Sequence, residues 1–558
     1  MRLTTPVALS LLLLPLGGFA QDKLVESIEV RVTNVDVVVT DNKGNPVTGL
    51  TKDDFELLEN KKPQKITNFY EAREEKNDVT VKATGEPSVA APAAPPATEM
   101  PAELRRRRFL LFVDNYSMSG GTRKKVFESL EKFMDRSFTD GDQAMLVSWA
   151  GSLKVITPFT SDREKVRAGI REMGRLNAGA SSLEFAKQQT KDRVRSMLAA
   201  AAASRNASGD VGPQMLSVVR AYADDVRNKE QELLTATRVM LSTLAGVEGR
   251  KVMVFAGAHL PEKPGLEMFQ WVQQAVATSR YPLIMNPLSE GGYESVEKLL
   301  IDLASAANSA GVTLYTVDTL TSNETNVQET DFGDSVEEFA NFTNTANSFN
   351  TLARLTGGVA ITNTNDYNAA FTTIARDLSN YYSIGYSPSE EGGGNRSIVV
   401  RTKNRAYTVR SRRSYVQKTT EEQASDRVIA NVFQEQQKSE LPVTLAVGTP
   451  EKKGRDQYEV PFQVQIAPML TMLPEGPQVV GGFTVYIVVG DKSGGLSDVT
   501  HTSRTIRIPA AAQKSVMSKP LIFNAAAMMR HGEQVLSVAV IDEVSHSGGF
   551  ARATINNH

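Results

Sequence analysis

The sequence predicts a multidomain chain: a central α/β, doubly wound domain flanked by β domains, closing on a C-terminal β-sandwich. Three observations carry that expectation. Between residues 105 and 392, apolar strand-like runs alternate with helical patterns, the mark of a mostly parallel sheet covered by helices on both faces. Before and after it, short runs alternate apolar and polar residues between Gly, Pro and Asn turns. An Ala- and Pro-rich stretch separates the first of these β parts from the centre. A length of 558 residues is in any case too great for one hydrophobic core.

Taken in order, residues 1–20 ("MRLTTPVALSLLLLPLGGFA") set Arg2 before an apolar run and end on small residues, the layout of a secretory signal peptide. The alternative, an anchor helix, is disfavoured by the short run and its break at Pro15. Residues 21–75 read as a small β domain, in which "DNKGNP" is a turn holding Asp41. Residues 76–104 are the Ala/Pro-rich linker. The "RRRR" run at 105–108 reads as a basic patch or, preferably, as a solvated lead-in to the next strand.

Within 105–392 the strand-like runs are "FLLFVD", "AMLVSWAGSLKVITPF", "KVMVFAGA", "VTLYTVD", "GGVAITNT" and "YYSIGYSP". A helical insertion at about 183–246 predicts a pair of projecting helices. Residues 393–417 return to a β pattern, 418–439 form a helix-compatible connector, and 440–558 make the sandwich.

Composition removes several function classes. A formal charge of −2 gives no polyanion-binding surface from the totals, so nucleic acid is not an expected partner. The absence of cysteine removes disulfides, thiol nucleophiles and thiolate metal sites together. No later run approaches ~18 uninterrupted apolar residues, so no integral membrane segment is expected after signal cleavage. The five histidines are scattered, and there is no H-E-x-x-H, no G-x-S-x-G elbow and no phosphate loop. The chain is therefore not expected to be an enzyme. His259, in "GAHLP" just after the fourth strand, reads as a group-orienting residue or, preferably, as a surface or turn histidine.

"FLLFVDNYSMSGG", "FTDGDQAMLVSWAGSLKVITPFTSDREKV" and "VTLYTVD" resemble the first strand and metal loop, the second and third strands, and the fifth strand of a von Willebrand factor A-type (vWA) domain, a Rossmann-like fold. The segments "VDVVVTDNKGNPVTGLTKDDFELLENKKPQKITNFYE" and "YYSIGYSPSEEGGGNRSIVVRTKNRAYTVRSRRSYV" resemble the flanks of exported bacterial vWA-related (VWFA-related) proteins, a family common in acidobacteria. The resemblance covers about 20–417 and leaves the last β domain unexplained.

It implies a Mg²⁺ or Mn²⁺ site beyond the carboxyl ends of the strands, built from Asp-x-Ser-x-Ser, a Thr on a second loop and an Asp after the fourth strand. Hard octahedral cations want such oxygen ligands, and open α/β sheets gather ligands there. Asp114 matches the first acid, while Ser117 and Ser119 each stand one residue late. On the second loop, Ser181 or Ser182 would replace the Thr, or cap the following helix. The third acid is missing, because Ala256, Gly257 and Ala258 follow the fourth strand. Asp318 ends another strand, two strand spacings or ~10 Å from Asp114.

The expected cofactor is therefore none, or Mg²⁺ if the incomplete site works; otherwise Asp114 holds the turn by hydrogen bonds. The expectation is an exported protein, periplasmic or extracellular in a bacterium. It would bind a protein partner, as adhesin or scaffold, through the carboxyl-edge loops at 114–121, 177–183, 256–265 and 319–345. A Mg²⁺- or Mn²⁺-dependent adhesion domain and an accessory subunit of a cell-surface enzyme are the alternatives.

Overall fold

A computed structural model describes residues 33–73, 106–176, 179–203, 211–277, 295–320, 332–388, 394–433, 439–491 and 495–557. The signal-peptide stretch 1–20, the linker 76–104 and residues 321–331 of the expected edge loop 319–345 lie outside the described residues.

Four strands come first: β1 (Thr33–Thr40), β2 (Phe55–Glu59), β3 (Lys62–Gln64) and β4 (Ile66–Ala72). Asp41 builds the turn after β1, its Oδ1 accepting the N–H groups of Lys43 and Asn45 at 2.8 Å each.

The central domain then runs β5 (Arg107–Asp114), α1 (Gly120–Ser137), β6 (Gln143–Trp149), β7 (Leu153–Thr160), α2 (Arg163–Arg175), α3 (Ala180–Ala203) and α4 (Val211–Thr243). It continues β8 (Arg250–Gly257), α5 (Leu266–Ala277), α6 (Glu297–Ser309), β9 (Val312–Asp318), α7 (Phe332–Thr356), β10 (Ala360–Ile361) and α8 (Tyr367–Ser379). The sheet order is β10-β9-β8-β5-β6-β7, parallel except for β7 against β6. That is the doubly wound order, with the second and third strands in the hairpin the resemblance implied.

The apolar run of β5 is continuous because helices cover both faces. Leu111 and Val113 pack with Val126 and Phe133 of α1 and Phe371 of α8. Leu110 and Phe112 pack on the other side with Leu233 and Leu241 of α4 and Leu300 of α6.

Three expectations are corrected. The second half of the arginine run is not a solvated lead-in: Arg107 holds Asp142 at 2.6 Å, and Arg108 is buried where β5 starts. The insertion helices do not project. Val219, Tyr222 and Val226 of α4 pack on Phe269, Trp271 and Val272 of α5, and the far end of α4 joins the sheet core. An apolar stripe at helical spacing drives this, because it buries more surface against a neighbour than in solvent.

The third correction concerns "YYSIGYSP". It forms β11 (Tyr381–Tyr386), which leaves the central sheet and pairs between β1 and β4. β12 (Gly394–Thr402), β13 (Thr408–Ser411) and β14 (Ser414–Gln417) follow. The two resulting sheets, β13-β1-β11-β4 and β14-β12-β2-β3, enclose one core of Val35, Val37, Phe55, Tyr382, Ile384 and Ile398. Segments on either side of the central domain thus build a single β module. Arg396 and Glu59, both buried and 2.6 Å apart, tie the two segments together.

The connector is a helix, α9 (Thr420–Phe433), whose Ala424, Val428 and Val432 pack on Tyr486, Val488 and Phe550. The C-terminal strands form two antiparallel sheets around Val460, Phe462, Val485, Leu536 and Val538. Among the described residues, no helix is long and apolar enough to cross a membrane.

Candidate functional site

At the carboxyl edge, β5 ends on Asp114, which is 2% exposed. Its Oδ1 accepts the N–H groups of Tyr116 (3.0 Å) and Ser117 (3.3 Å), and its Oδ2 accepts the Ser117 hydroxyl at 2.6 Å. Ser117 Oγ in turn accepts the N–H of Ala258 at 2.9 Å. Asn115 fixes the loop from below, donating to Ser148 Oγ (2.8 Å) and Met173 O (3.2 Å). Met118 enters the core beside Val126 and Phe127, which explains an apolar residue where the resemblance implied a serine. Tyr116, at the other serine position, lies flat against Gly179: a Cβ there would meet the ring at 2.2 Å.

The remaining candidates are scattered. Ser119 precedes α1 with its hydroxyl buried and unpartnered among the described residues, and it makes no side-chain cap bond. Ser182 is exposed on the first turn of α3, and the side chain of Ser181 lies outside the described residues. Asp318 is level with Gly257 across the β8–β9 ladder and accepts the Leu320 N–H at 2.9 Å.

The family's cation site does not fit these residues. Both Asp114 oxygens are taken up within its own loop. A Cβ on Gly257, where the third acid belongs, would stand 3.1 Å from Asp114 Cβ, so a longer side chain has no room. Among the described residues, no group of three His, Asp or Glu side chains is placed to hold a metal ion.

What lies over Asp114 instead is α4. Glu230 is 4% exposed, both of its carboxyl oxygens lack a partner among the described residues, and it faces the Asp114 loop. Glu230, Asp114, Ser117 and His259 line a cavity of about 20 Å³, room for a single water. Burial lifts the Asp114 carboxyl to about 6, against the hydrogen bonds of Ser117 and Tyr116. Burial, then the charges of Glu267 and Asp114, hold Glu230 well above the usual carboxylate range. Burial lifts Asp318 to about 7. His259 is half-buried, not the open surface histidine expected: desolvation, with Lys187 nearby, brings it down to about 4. The edge thus holds a carboxyl biased toward its protonated form at Glu230 and, at neutral pH, a neutral imidazole at His259, with room between them for one water.

Glu230 escapes a motif search because it belongs to no motif. Its signal is its place on an apolar stripe, four residues after Val226 and three before Leu233, both buried.

Two large apolar side chains stand exposed on helices of the central domain. Phe185 on α3 is 68% exposed and Phe339 on α7 is 71% exposed. Leu183, two residues from the first, lines the cavity.

No family model matches the chain, and no curated protein matches it. Solved structures do. An aerotolerance-related membrane protein from Bacteroides fragilis is similar at 10% identity over 49% of this chain and 98% of that one, with a TM-score of 0.20. The vWF domain of the type V pili tip protein Mfa5 from Porphyromonas gingivalis is similar at 14% identity over 49% and 94%, with a TM-score of 0.22. A mutant of the PilB minor pilin from Streptococcus sanguinis is similar at 11% identity over 62% and 87%, with a TM-score of 0.23. Scores this low carry nothing about what this chain binds or does. Its class is the one its own topology defines, a doubly wound α/β domain between β modules.

Proposed function

We propose that this is an exported, non-enzymatic protein-binding protein, an adhesin or scaffold, that grips its partner through the carboxyl edge of the vWA-like domain without a metal ion. The observation that supports the reading is the exposure of Phe185 and Phe339, each more than two-thirds exposed on a helix of the central domain. A single exposed apolar residue is ordinary, whereas exposed aromatic side chains are among the anchors that protein interfaces use for affinity. Export rests on the signal-like residues 1–20, and places the partner in the periplasm or outside the cell.

An enzymatic reading has one observation in its favour, the raised carboxyls of Asp114 and Glu230 in one cavity. A cavity of about 20 Å³ admits no substrate, so binding is the better account.

The test places a photo-crosslinking phenylalanine analogue at Phe185, at Phe339 and, as control, at Met528, which is 52% exposed in the C-terminal domain. One protein adduct shared by the first two positions, missing at the third and unchanged by EDTA, is the expected result. Adducts no stronger than at Met528 refute the proposal, and loss of the adduct with EDTA restores the Mg²⁺-dependent alternative.

A further inference from the structure

The amino edge of the central sheet, opposite the Asp114 loop, carries a second charged cavity. β8 begins with Arg250 and Lys251, both more than nine-tenths buried. Arg250 lies over the Tyr381 ring and reaches Asp36 at 3.1 Å. Lys251 Nζ donates to Val247 O at 2.5 Å, one bond for its three protons among the described residues. Arg412, just after β13, donates to Asn34 O at 2.6 Å and to Asn308 O at 3.3 Å, while its Nε is buried without a hydrogen-bond partner among the described residues.

The cations converge on a glycine. Gly311, between α6 and β9, has φ +66°, and a Cβ there would stand 3.9 Å from both Lys251 Nζ and Arg412 Nη1. The missing side chain opens a cavity of about 180 Å³, bounded by β8 and β9 on one side and by β1, β11 and Arg412 of the β module on the other.

The charges do not balance. Arg250, Lys251 and Arg412 line the cavity with Asp36 as the one acid, and Asp36 is spent on Arg250. Neither Lys251 nor Arg412 has an ion pair among the described residues; the next acid, Asp426, is held by Lys418. Burial, then Arg412, bring Lys251 down to about 8, with Asp426 opposing. The carbonyl of Asn308, near the end of α6, compensates Arg412 in part. A buried Lys251 and a half-buried Arg412, without a counter-charge among the described residues, remain costly.

We propose that the cavity around Gly311 binds a phosphate-type oxyanion, held by Lys251 Nζ and Arg412 Nε. A tetrahedral dianion supplies the two missing charges and accepts from an ammonium and a guanidinium at once. Because its walls come from the central domain and the β module, occupancy ties the two together. The site is separate from Phe185 and Phe339, and neither proposal depends on the other.

The test is calorimetry and thermal denaturation of the full chain with inorganic phosphate, ionic strength held constant with chloride. Saturable heat and a rise in Tm on the order of 2–4 °C are expected. Lys251→Met should weaken binding at least tenfold. Asn34→Asp, near-isosteric and on the cavity wall, should raise Tm without phosphate and abolish the response. Glycerol phosphate binding more tightly than the free ion would identify a phosphomonoester, and equal affinity the free ion. No heat with wild-type protein, an equal Tm rise in chloride, or an undiminished response in folded Lys251→Met or Asn34→Asp would each overturn the proposal.

Discussion

Ser117 closes the Asp114 loop from both sides: its hydroxyl donates to Asp114 Oδ2 at 2.6 Å and accepts from the Ala258 N–H at 2.9 Å. One side chain thus joins the exit of β5 to the exit of β8. Ser117→Ala leaves a buried carboxyl oxygen and an N–H without partners, and should cost about 2 kcal/mol. Both tryptophans, Trp149 and Trp271, are buried in the central domain, so their fluorescence in urea reports this loss without interference from the β modules.

The same edge sets a pH dependence. Asp114 and Asp318 rise from 3.8 to about 6 and about 7, so the folded chain binds protons that the unfolded chain releases. Stability from these groups is greatest below pH ~4, falls as pH climbs through 6 to 7, and then levels. Asp114 alone accounts for roughly 3 kcal/mol over that window. Glu230, raised by burial and by its acidic neighbours, acts in the same direction. Glu230→Gln should therefore be more stable than wild type at pH 8 and show a shallower decline between pH 5 and 8. Equal slopes in the two proteins would mean that Glu230 ionises freely.

His259 works in the opposite direction. Its imidazole falls from 6.5 to about 4, so its contribution is present above 6.5 and is lost as pH drops toward 4. His259→Gln should flatten the acid side of the urea-midpoint curve and leave the alkaline side unchanged. A variant that loses stability equally at pH 5 and pH 8 would show packing, not titration, to be the role of this residue.

Metal binding follows from the occupancy of Asp114. With both oxygens used inside the loop and Gly257 packed against its Cβ, the full chain should give no saturable Mg²⁺ or Mn²⁺ heat that Asp114→Ala removes. Sub-millimolar binding abolished by that substitution would show that the loop opens to take a cation.

Much of this was legible residue by residue. The alternation that predicts the central sheet is local, and so is the match of "FLLFVD" to a first strand ending on an acid. What escaped was pairing at a distance. β11 contacts β1 some 350 residues earlier, and no periodicity encodes that partner. Glu230 escaped for a related reason, since a lone acid on an apolar helix stripe gains meaning only when the helix docks over Asp114. The arginines at 107 and 108 look solvated because charge normally is; Asp142 is the acid that keeps Arg107 at the core boundary.

The shared β module makes the N-terminal segment indispensable to strands that follow the central domain. Deleting residues 1–73 removes β1 and β4 from the two sides of β11, and β2 from β12. It also strips Glu59 from the buried Arg396. Loss of this buried ion pair and of four strand pairings, since β13 also loses β1, is strongly destabilising. The truncated chain should keep tryptophan fluorescence close to native, because Trp149 and Trp271 belong to the central domain cores. Limited proteolysis should cut it first within β11 and β12, strands protected in the intact chain by their pairing with β1, β2 and β4. Equal protection of β11 and β12 in both chains would show that the strands after the central domain stand on their own.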